Sequence, residues 1–236
     1  MYEVIVLREG YNMVDEGEGV HSMRAACTIT LVKGPKNIIV DPGSPWEKQL
    51  VIDSLKKHGL DCENINYVVC THGHCDRVGN LNLFTNAVHI VSYDICFGDQ
   101  YVSHSFQHGI PYEIDEGRVE VVPTPGHTGS DVTVLVRDTK QGTVAITGDL
   151  FDHEEDLDNP HLWQDNSENE ELQQHSRINI LQIADMIIPG HGAMFKVTQE
   201  SKASLRVVMF YEQRYERSSP SHYEASSSEY VIIEQD

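Results

Sequence analysis

Apolar and polar residues alternate in short blocks along the first half of the chain, and the blocks predict a mixed α/β fold. Residues 23–32 and 37–41 have the pattern of two strands joined by a turn at Gly34-Pro35. Apolar residues at helical spacing predict a helix over residues 46–58. The run "INYVVC", which ends at Cys70, then predicts a buried strand.

The second half has the same organisation. Short strands are predicted around "RVEVV", "VTVLV", "GTVAIT" and "MIIP", with a helix over residues 168–184 before the last of them. Three turns after these strands carry the ionisable residues His127, Asp149 and His191, and the strand ending at Cys70 runs into His72. Since open α/β sheets form their sites at the carboxyl ends of strands, we expect these side chains at one edge of the sheets.

The chain is expected to form one domain over residues 1–217 and a Ser/Glu-rich tail over residues 218–236. The segment "EYVII" in this tail has the composition of a terminal strand. Residues 151–171 hold nine acidic residues and no lysine or arginine, which is typical of a solvated loop.

Charge and cysteine content restrict the expected partners and compartment. The net charge is −20, with 37 acidic and 17 basic residues, and such a field repels polyanions and anionic membranes. Five unevenly spaced cysteines indicate free thiols in a reducing compartment. The sequence shows no signal-peptide pattern and no apolar run of 18 residues, so we expect a soluble, cytoplasmic protein.

The segment "THGHCDRVGN" places His72, His74 and Asp76 at alternate positions directly after a predicted strand. Alternate residues of an extended chain project to the same side, so these side chains can approach one ion. Imidazole and carboxylate ligands without a thiolate suit zinc, with iron and manganese as alternatives.

Four further motifs follow a recognisable order around this segment. They are "VDPG" at Asp41, "PTPGHTGSD" at His127, "TGDLF" at Asp149 and "IPGHG" at His191. The five motifs together resemble those of the metallo-β-lactamase fold superfamily. The resemblance implies a four-layer αβ/βα sandwich with the site at its edge.

The resemblance also implies a role for each motif residue. By this resemblance, the first metal is bound by His72, His74 and His127, Asp149 bridges two metals, and Asp76 and His191 bind the second; Asp41 orients the motif loop without binding metal. Asp76 and Asp149 are the implied catalytic carboxylates, with Asp76 orienting a metal-bound hydroxide and accepting a proton. Asp41 is equally typical of a simple turn before Pro-Gly.

Arg77 departs from the HxHxDH pattern of members with two symmetric metals. Arginine has no lone pair for a metal, so the second site keeps only Asp76, Asp149 and His191. Three protein ligands and water suffice for a catalytic zinc. The departure alternatively indicates a mononuclear enzyme or a decayed site. Arg77 could instead point into the pocket and bind an anionic group of the substrate.

The expected chemistry is hydrolysis by a metal-bound hydroxide, with one or two zinc ions. The ungapped "THGHCDRVGNLNLF" and "ADMIIPGHGAMFKV" resemble, within the superfamily, zinc-dependent endoribonucleases that process the 3′ end of histone pre-mRNA. That resemblance implies an RNA substrate, a homodimer, and a location in the cytoplasm and the nucleus.

Three alternatives stay open. A thioesterase of the glyoxalase II type would act on a small-molecule ester or thioester, but neither HxHxDH nor a C-terminal helical region is evident. A persulfide dioxygenase would hold one iron through His72, His127 and Asp149. A non-catalytic binding protein would keep the fold alone.

Overall fold

The computed structural model describes residues 1–17 and 20–202, and these form two large β-sheets and one separate hairpin. The first sheet has the order β1-β4-β5-β6-β7-β8-β9. Its strands are β1 (Glu3–Arg8), β4 (Ile29–Lys33), β5 (Ile38–Val40), β6 (Tyr67–Cys70), β7 (Val88–Val91), β8 (Asp94–Phe97) and β9 (Gln100–Val102). The hairpin between β1 and β4 consists of β2 (Tyr11–Gly17) and β3 (Val20–Ala26).

The second sheet has the order β10-β11-β12-β13-β14-β15. Its strands are β10 (Tyr112–Asp115), β11 (Val119–Pro123), β12 (Val132–Thr139), β13 (Gly142–Gly148), β14 (Met186–Pro189) and β15 (Phe195–Lys196). The α-helices with both ends in the described residues are α1 (Lys48–Lys57), α2 (Cys75–Val78), α3 (His161–Gln164) and α4 (Glu170–Ile183). None of the helices in the described residues is long and apolar enough to cross a membrane.

Three hydrophobic interfaces separate four layers. Between the two sheets, valine and isoleucine side chains of β5, β6 and β7 pack against those of β11 to β14. Val51 and Leu55 of α1 cover the outer face of the first sheet. Ile180 and Leu181 of α4 cover the outer face of the second. The predicted four-layer αβ/βα sandwich is therefore confirmed.

The helices predicted over residues 46–58 and 168–184 are present, the first as a 3₁₀ turn (Pro45–Glu47) followed by α1, the second as α4. The single strand predicted over residues 23–32 is wrong, because the chain leaves β3 at Ala26 and enters a different sheet at β4. At this break the amide of Thr28 donates to the carbonyl of Gly190, at 2.7 Å, rather than to a neighbouring strand.

Residues 151–171, predicted to be a solvated loop, are more ordered and more buried than expected. They contain a 3₁₀ helix (Glu154–Leu157) and α3, and Asp152 and Asp156 are buried. The predicted domain boundary at residue 217 and the predicted strand "EYVII" lie outside the described residues.

Candidate metal centre

The motif side chains come from strand ends of both sheets. Asp41 follows β5 and His72 follows β6, and these two strands are parallel neighbours in the first sheet. Asp149 follows β13 and His191 follows β14, which are parallel neighbours in the second sheet. Parallel strands end at the same edge, so each sheet delivers two motifs to one place. His127 completes the set from the loop between β11 and β12.

The backbone around these strand ends is tightly packed. Asp41 has φ of 52°, a left-handed conformation that aspartate tolerates better than most residues, and this turns the chain at the end of β5. Gly148 has φ of 54°, and a Cβ there would lie 2.2 Å from Oγ1 of Thr71. A glycine is therefore required where the β13 strand end approaches the β6 strand end.

Four motif side chains converge, and the distances between their nitrogen and oxygen atoms are those of ligands around one metal ion. Nδ1 of His74 lies 2.8 Å from Nε2 of His72 and 3.3 Å from Nε2 of His127. Oδ2 of Asp149 lies 3.4 Å from each of these two Nε2 atoms. Four ligands at about 2.0–2.1 Å from a tetrahedral zinc ion lie about 3.3–3.4 Å from one another. Three imidazoles and one carboxylate at this spacing fit one zinc ion.

Burial sets the protonation state that metal binding requires. Burial, followed by the nearby Arg77, holds the pKa of His72 well below its usual range. Burial also lowers the pKa of His127. Burial opposes the charge of Asp149, but Arg77 and His191 hold the pKa of this carboxyl well below its usual range. At neutral pH the two imidazoles are therefore neutral and the carboxylate is ionised. His74 is exposed, which leaves the cluster open to solvent on one side.

A second group of donors adjoins the first through Asp149. It comprises Asp149, Asp152 and His191, with one donor atom of each within 4.8 Å of the others. Oδ1 of Asp149 lies 3.2 Å from Nε2 of His191, and Nδ1 of His191 lies 3.2 Å from the carbonyl of Ala26. Since a carbonyl only accepts, Nδ1 of His191 carries a proton and Nε2 faces the centre.

Asp152 was not predicted as a site residue. It belongs to the acidic stretch whose composition predicts a solvated loop, yet it is buried beside Asp149. Burial and the charge of Asp149 raise its pKa to about 8. Its position three residues after Asp149 is the sequence feature that could have indicated a place in the site.

Asp76 belongs to neither group of donors. The chain starts the short helix α2 at Cys75, so the alternation that aligns His72 with His74 ends before Asp76. Its Oδ2 atom is buried and has no hydrogen-bond partner among the described residues. Its roles as second-metal ligand and as proton acceptor stay predictions.

Arg77 is fully buried, and its guanidinium lies among the motif side chains. Nη1 donates to Oδ2 of Asp41 at 3.0 Å, and Nε lies 3.2 Å from Nε2 of His72. Nη2 donates to Oδ1 of Asp149 and lies 3.1 Å from Nε2 of His191. The predicted contact between Arg77 and a substrate stays a prediction.

Asp41 holds the loop that carries the first two histidines. Its Oδ1 accepts the backbone N–H of Thr71 at 2.7 Å, and its Oδ2 accepts the Thr71 hydroxyl at 2.9 Å. Burial raises the pKa of Asp41 to about 6, against the opposing effect of Arg77. The carboxylate therefore connects the His72 loop to the guanidinium while it lies outside both groups of metal donors.

We expect Asp41→Asn to weaken zinc binding by about 10–100-fold, the usual cost of removing a partner that orients metal ligands. The amide keeps the shape but loses the charge opposite Arg77 and one of the acceptors for Thr71. Competition with a zinc-binding indicator measures the affinity. Asp94→Asn, an exposed position on β8, is the matched control. Equal affinities for the two variants would contradict this prediction.

Comparison with known proteins identifies the family. Residues 24–93 match the sequence model of the metallo-β-lactamase superfamily. A Xenopus laevis protein named metallo-beta-lactamase domain-containing protein 1 is 45% identical over 202 residues, with 85% of this chain and 84% of that protein covered. The chain belongs to the metallo-β-lactamase superfamily.

Solved structures with the metallo-β-lactamase fold match most of the chain. A candidate metallo-β-lactamase from Thermotoga maritima aligns with a TM-score of 0.62 at 20% identity, covering 83% of this chain and 99% of that one. AidC, a dizinc quorum-quenching lactonase, aligns with a TM-score of 0.53 at 16% identity, covering 72% and 74%. At these identities the likeness concerns the fold alone.

Proposed function

We propose that this protein is a zinc-dependent hydrolase whose ion is held by His72, His74, His127 and Asp149. The observation that carries the proposal is the mutual spacing of the four donor atoms, from 2.8 to 3.4 Å over the four measured pairs. Membership in the metallo-β-lactamase superfamily supports the same reaction class.

The residues have separable tasks in such a reaction. His72, His74, His127 and Asp149 would hold a zinc ion, which would supply a bound water with a pKa of about 7 and a Lewis acid for the bond under attack. His72 and His127, kept neutral by burial, offer lone pairs to the ion at neutral pH. Asp149 remains ionised and neutralises part of the charge. Asp76 is proposed to accept the proton, because its Oδ2 has no other partner among the described residues.

For the substrate, the motif resemblance favours the phosphodiester of an RNA, namely the 3′ end of histone pre-mRNA. The similarity to metallo-beta-lactamase domain-containing protein 1 extends over most of the chain and supports this choice within the superfamily.

A small-molecule ester, lactone or thioester is the second candidate, favoured by charge. The whole chain carries a formal net charge of −20 at pH 7. Such surroundings repel a polyanion and accept a neutral ester. Lactone hydrolysis is the activity named for the structural neighbour AidC.

The test compares purified protein on a labelled histone 3′-end RNA, an N-acyl homoserine lactone and a glutathione thioester. We expect turnover of one class that disappears with a chelator, returns with zinc and is lost in His127→Ala. His108→Ala, an exposed histidine, is the control and should retain full turnover. Chelator-resistant hydrolysis would overturn the proposal. Bound iron with oxygen uptake on persulfides would replace it with a dioxygenase.

The expected homodimer and the cytoplasmic and nuclear location stay predictions from the resemblance. Light scattering on the eluted protein measures the assembly directly. A monomeric mass would contradict the dimer without affecting the proposed reaction.

A further inference from the structure

The guanidinium of Arg77 lies beside the two side chains that would coordinate a second metal ion. Its Nη2 atom donates to Oδ1 of Asp149 and lies 3.1 Å from Nε2 of His191. Oδ1 of Asp149 and Nε2 of His191, the two potential metal ligands, are themselves 3.2 Å apart. An ion bound to both at about 2.0–2.2 Å would lie within about 4 Å of Nη2. Two cations would then share Oδ1 of Asp149 within one buried site, and Nη2 would occupy the side of that oxygen next to the ion.

The guanidinium is held in a formed socket. Arg77 has no exposed surface, and its other two nitrogens contact Asp41 at 3.0 Å and His72 at 3.2 Å. The backbone of Gly190 closes the socket, since a Cβ there would lie 1.9 Å from Oδ1 of Asp149 and 2.9 Å from Nη2 of Arg77. The pairing of Arg77 with Asp149 therefore depends on a glycine at position 190.

Asp76, the other residue expected to bind a second ion, does not lie with Asp149 and His191. Asp76 lies outside both groups of potential metal ligands. It belongs to helix α2, so it does not continue the extended segment in which His72 and His74 alternate. Its buried Oδ2 has no partner among the described residues, so it is available for an ion but lacks co-ligands at the required spacing. At the second position, Asp149 and His191 already contact the Arg77 guanidinium, Asp152 lies beside them, and Asp76 lies apart.

We infer that Arg77 takes the place of the second metal ion, so that this protein binds one zinc and uses a fixed guanidinium as the second positive charge of its centre. This inference rests on the proposed hydrolase and specifies its metal content. Arg77 acts as a positioning residue: it fixes Asp149, whose other oxygen faces the first metal position, and it links that carboxylate to Asp41.

The same inference distinguishes the two halves of the motif set. His72, His74, His127 and Asp149 form the metal site. His191 and Asp41 contact Arg77 and lie outside this four-residue group. A metal count therefore tests the inference directly, without any knowledge of the substrate.

The experiment measures zinc per chain by elemental analysis after saturation with zinc and passage over a desalting column. We expect one zinc in the wild type and one in Arg77→Lys, which keeps the cation. We expect two in Arg77→His, which removes the guanidinium and supplies an imidazole. Titration with cobalt, followed by its visible spectrum, should then show a second binding step in Arg77→His alone.

If Arg77→His fails to fold, a second variant that leaves Arg77 and its contacts in place still tests the inference. Asp76→Asn should keep one zinc if Arg77 replaces the second ion. Two zincs in the wild type, falling to one in Asp76→Asn, would overturn the inference and leave the proposed hydrolase standing. No retained zinc in the wild type would overturn the proposed function itself.

Discussion

Replacing Asp149 by asparagine is expected to abolish zinc retention and to reduce hydrolysis by more than about 100-fold, beyond the cost of losing an orienting partner of a ligand. Both carboxylate oxygens are engaged. Oδ2 faces Nε2 of His72 and of His127, at 3.4 Å each, and Oδ1 faces Arg77 and His191. An amide offers one neutral acceptor and one donor, and that donor would face either the imidazole nitrogens or the guanidinium.

The same substitution is expected to destabilise the metal-free protein by about 3 kcal/mol, because a buried charge loses one of its partners. The pairing lowers the pKa of Asp149 below its unfolded value of 3.8, despite its burial. Its contribution to stability is therefore present above about pH 4 and is lost as the pH falls through the lowered pKa. The variant should accordingly show a smaller pH dependence of unfolding than the wild type in this acidic range.

Zinc content, turnover and urea unfolding at several pH values measure these effects. Asp53→Asn, on the exposed face of α1, is the matched control and should resemble the wild type. A variant at position 149 that retains zinc and full turnover would show that Asp149 is not a ligand.

The layers and the place of the site were predictable because both follow from strand ends. Apolar runs such as the one ending at Cys70 formed strands that stop where the motif residues begin. Parallel pairing then placed His72 beside Asp41 at the edge of one sheet and Asp149 beside His191 at the edge of the other. Neither strand formation nor strand pairing depends on specific side-chain contacts, so the sequence pattern is enough to predict both.

The arrangement within the site was not predictable from the same pattern. Alternation aligned His72 with His74, but the helical turn at Cys75 removed Asp76 from that side of the chain. The sequence shows that Arg77 cannot bind a metal. Its contacts depend on four separate segments that only the folded chain brings together.

Charge runs were the other source of error. The acidic stretch after Asp149 has the composition of a solvated loop, and most of its carboxylates are exposed or half-exposed. Asp156 is buried because Arg177 reaches it from α4, a residue outside the stretch itself. A composition window cannot detect a partner that lies about twenty positions away.

Replacing Arg177 by leucine should lower the free energy of unfolding by about 3–5 kcal/mol, the cost of breaking a buried ion pair from one side. The guanidinium lies 4.1 Å from the ring centre of Phe151 and 4.8 Å from that of Trp163. Nη1 donates to the carbonyl of Leu150 at 2.7 Å, and Nη2 donates to that of Asp156 at 3.1 Å. Nη1 also lies 3.5 Å from Oδ2 of Asp156. Leucine fills part of the space but leaves the buried carboxylate without the Arg177 guanidinium, although Oδ2 still accepts the backbone N–H of Asp152 at 2.7 Å.

The loss in Arg177→Leu should be smaller at pH 5 than at pH 8. Burial raises the pKa of Asp156, Arg177 opposes that rise, and removing the arginine raises the pKa further. A carboxyl whose folded pKa exceeds its unfolded value binds its proton more tightly in the folded state, so the stability falls as the pH rises. Urea unfolding is compared between Arg177→Leu and the double variant that also carries Asp156→Asn. The comparison separates the effect of the unpaired Asp156 charge from the effect of the lost packing. The second substitution should restore much of the stability at pH 8 and little at pH 5. Equal losses at both pH values would show that Arg177 acts through its stacking on Phe151 and Trp163 instead.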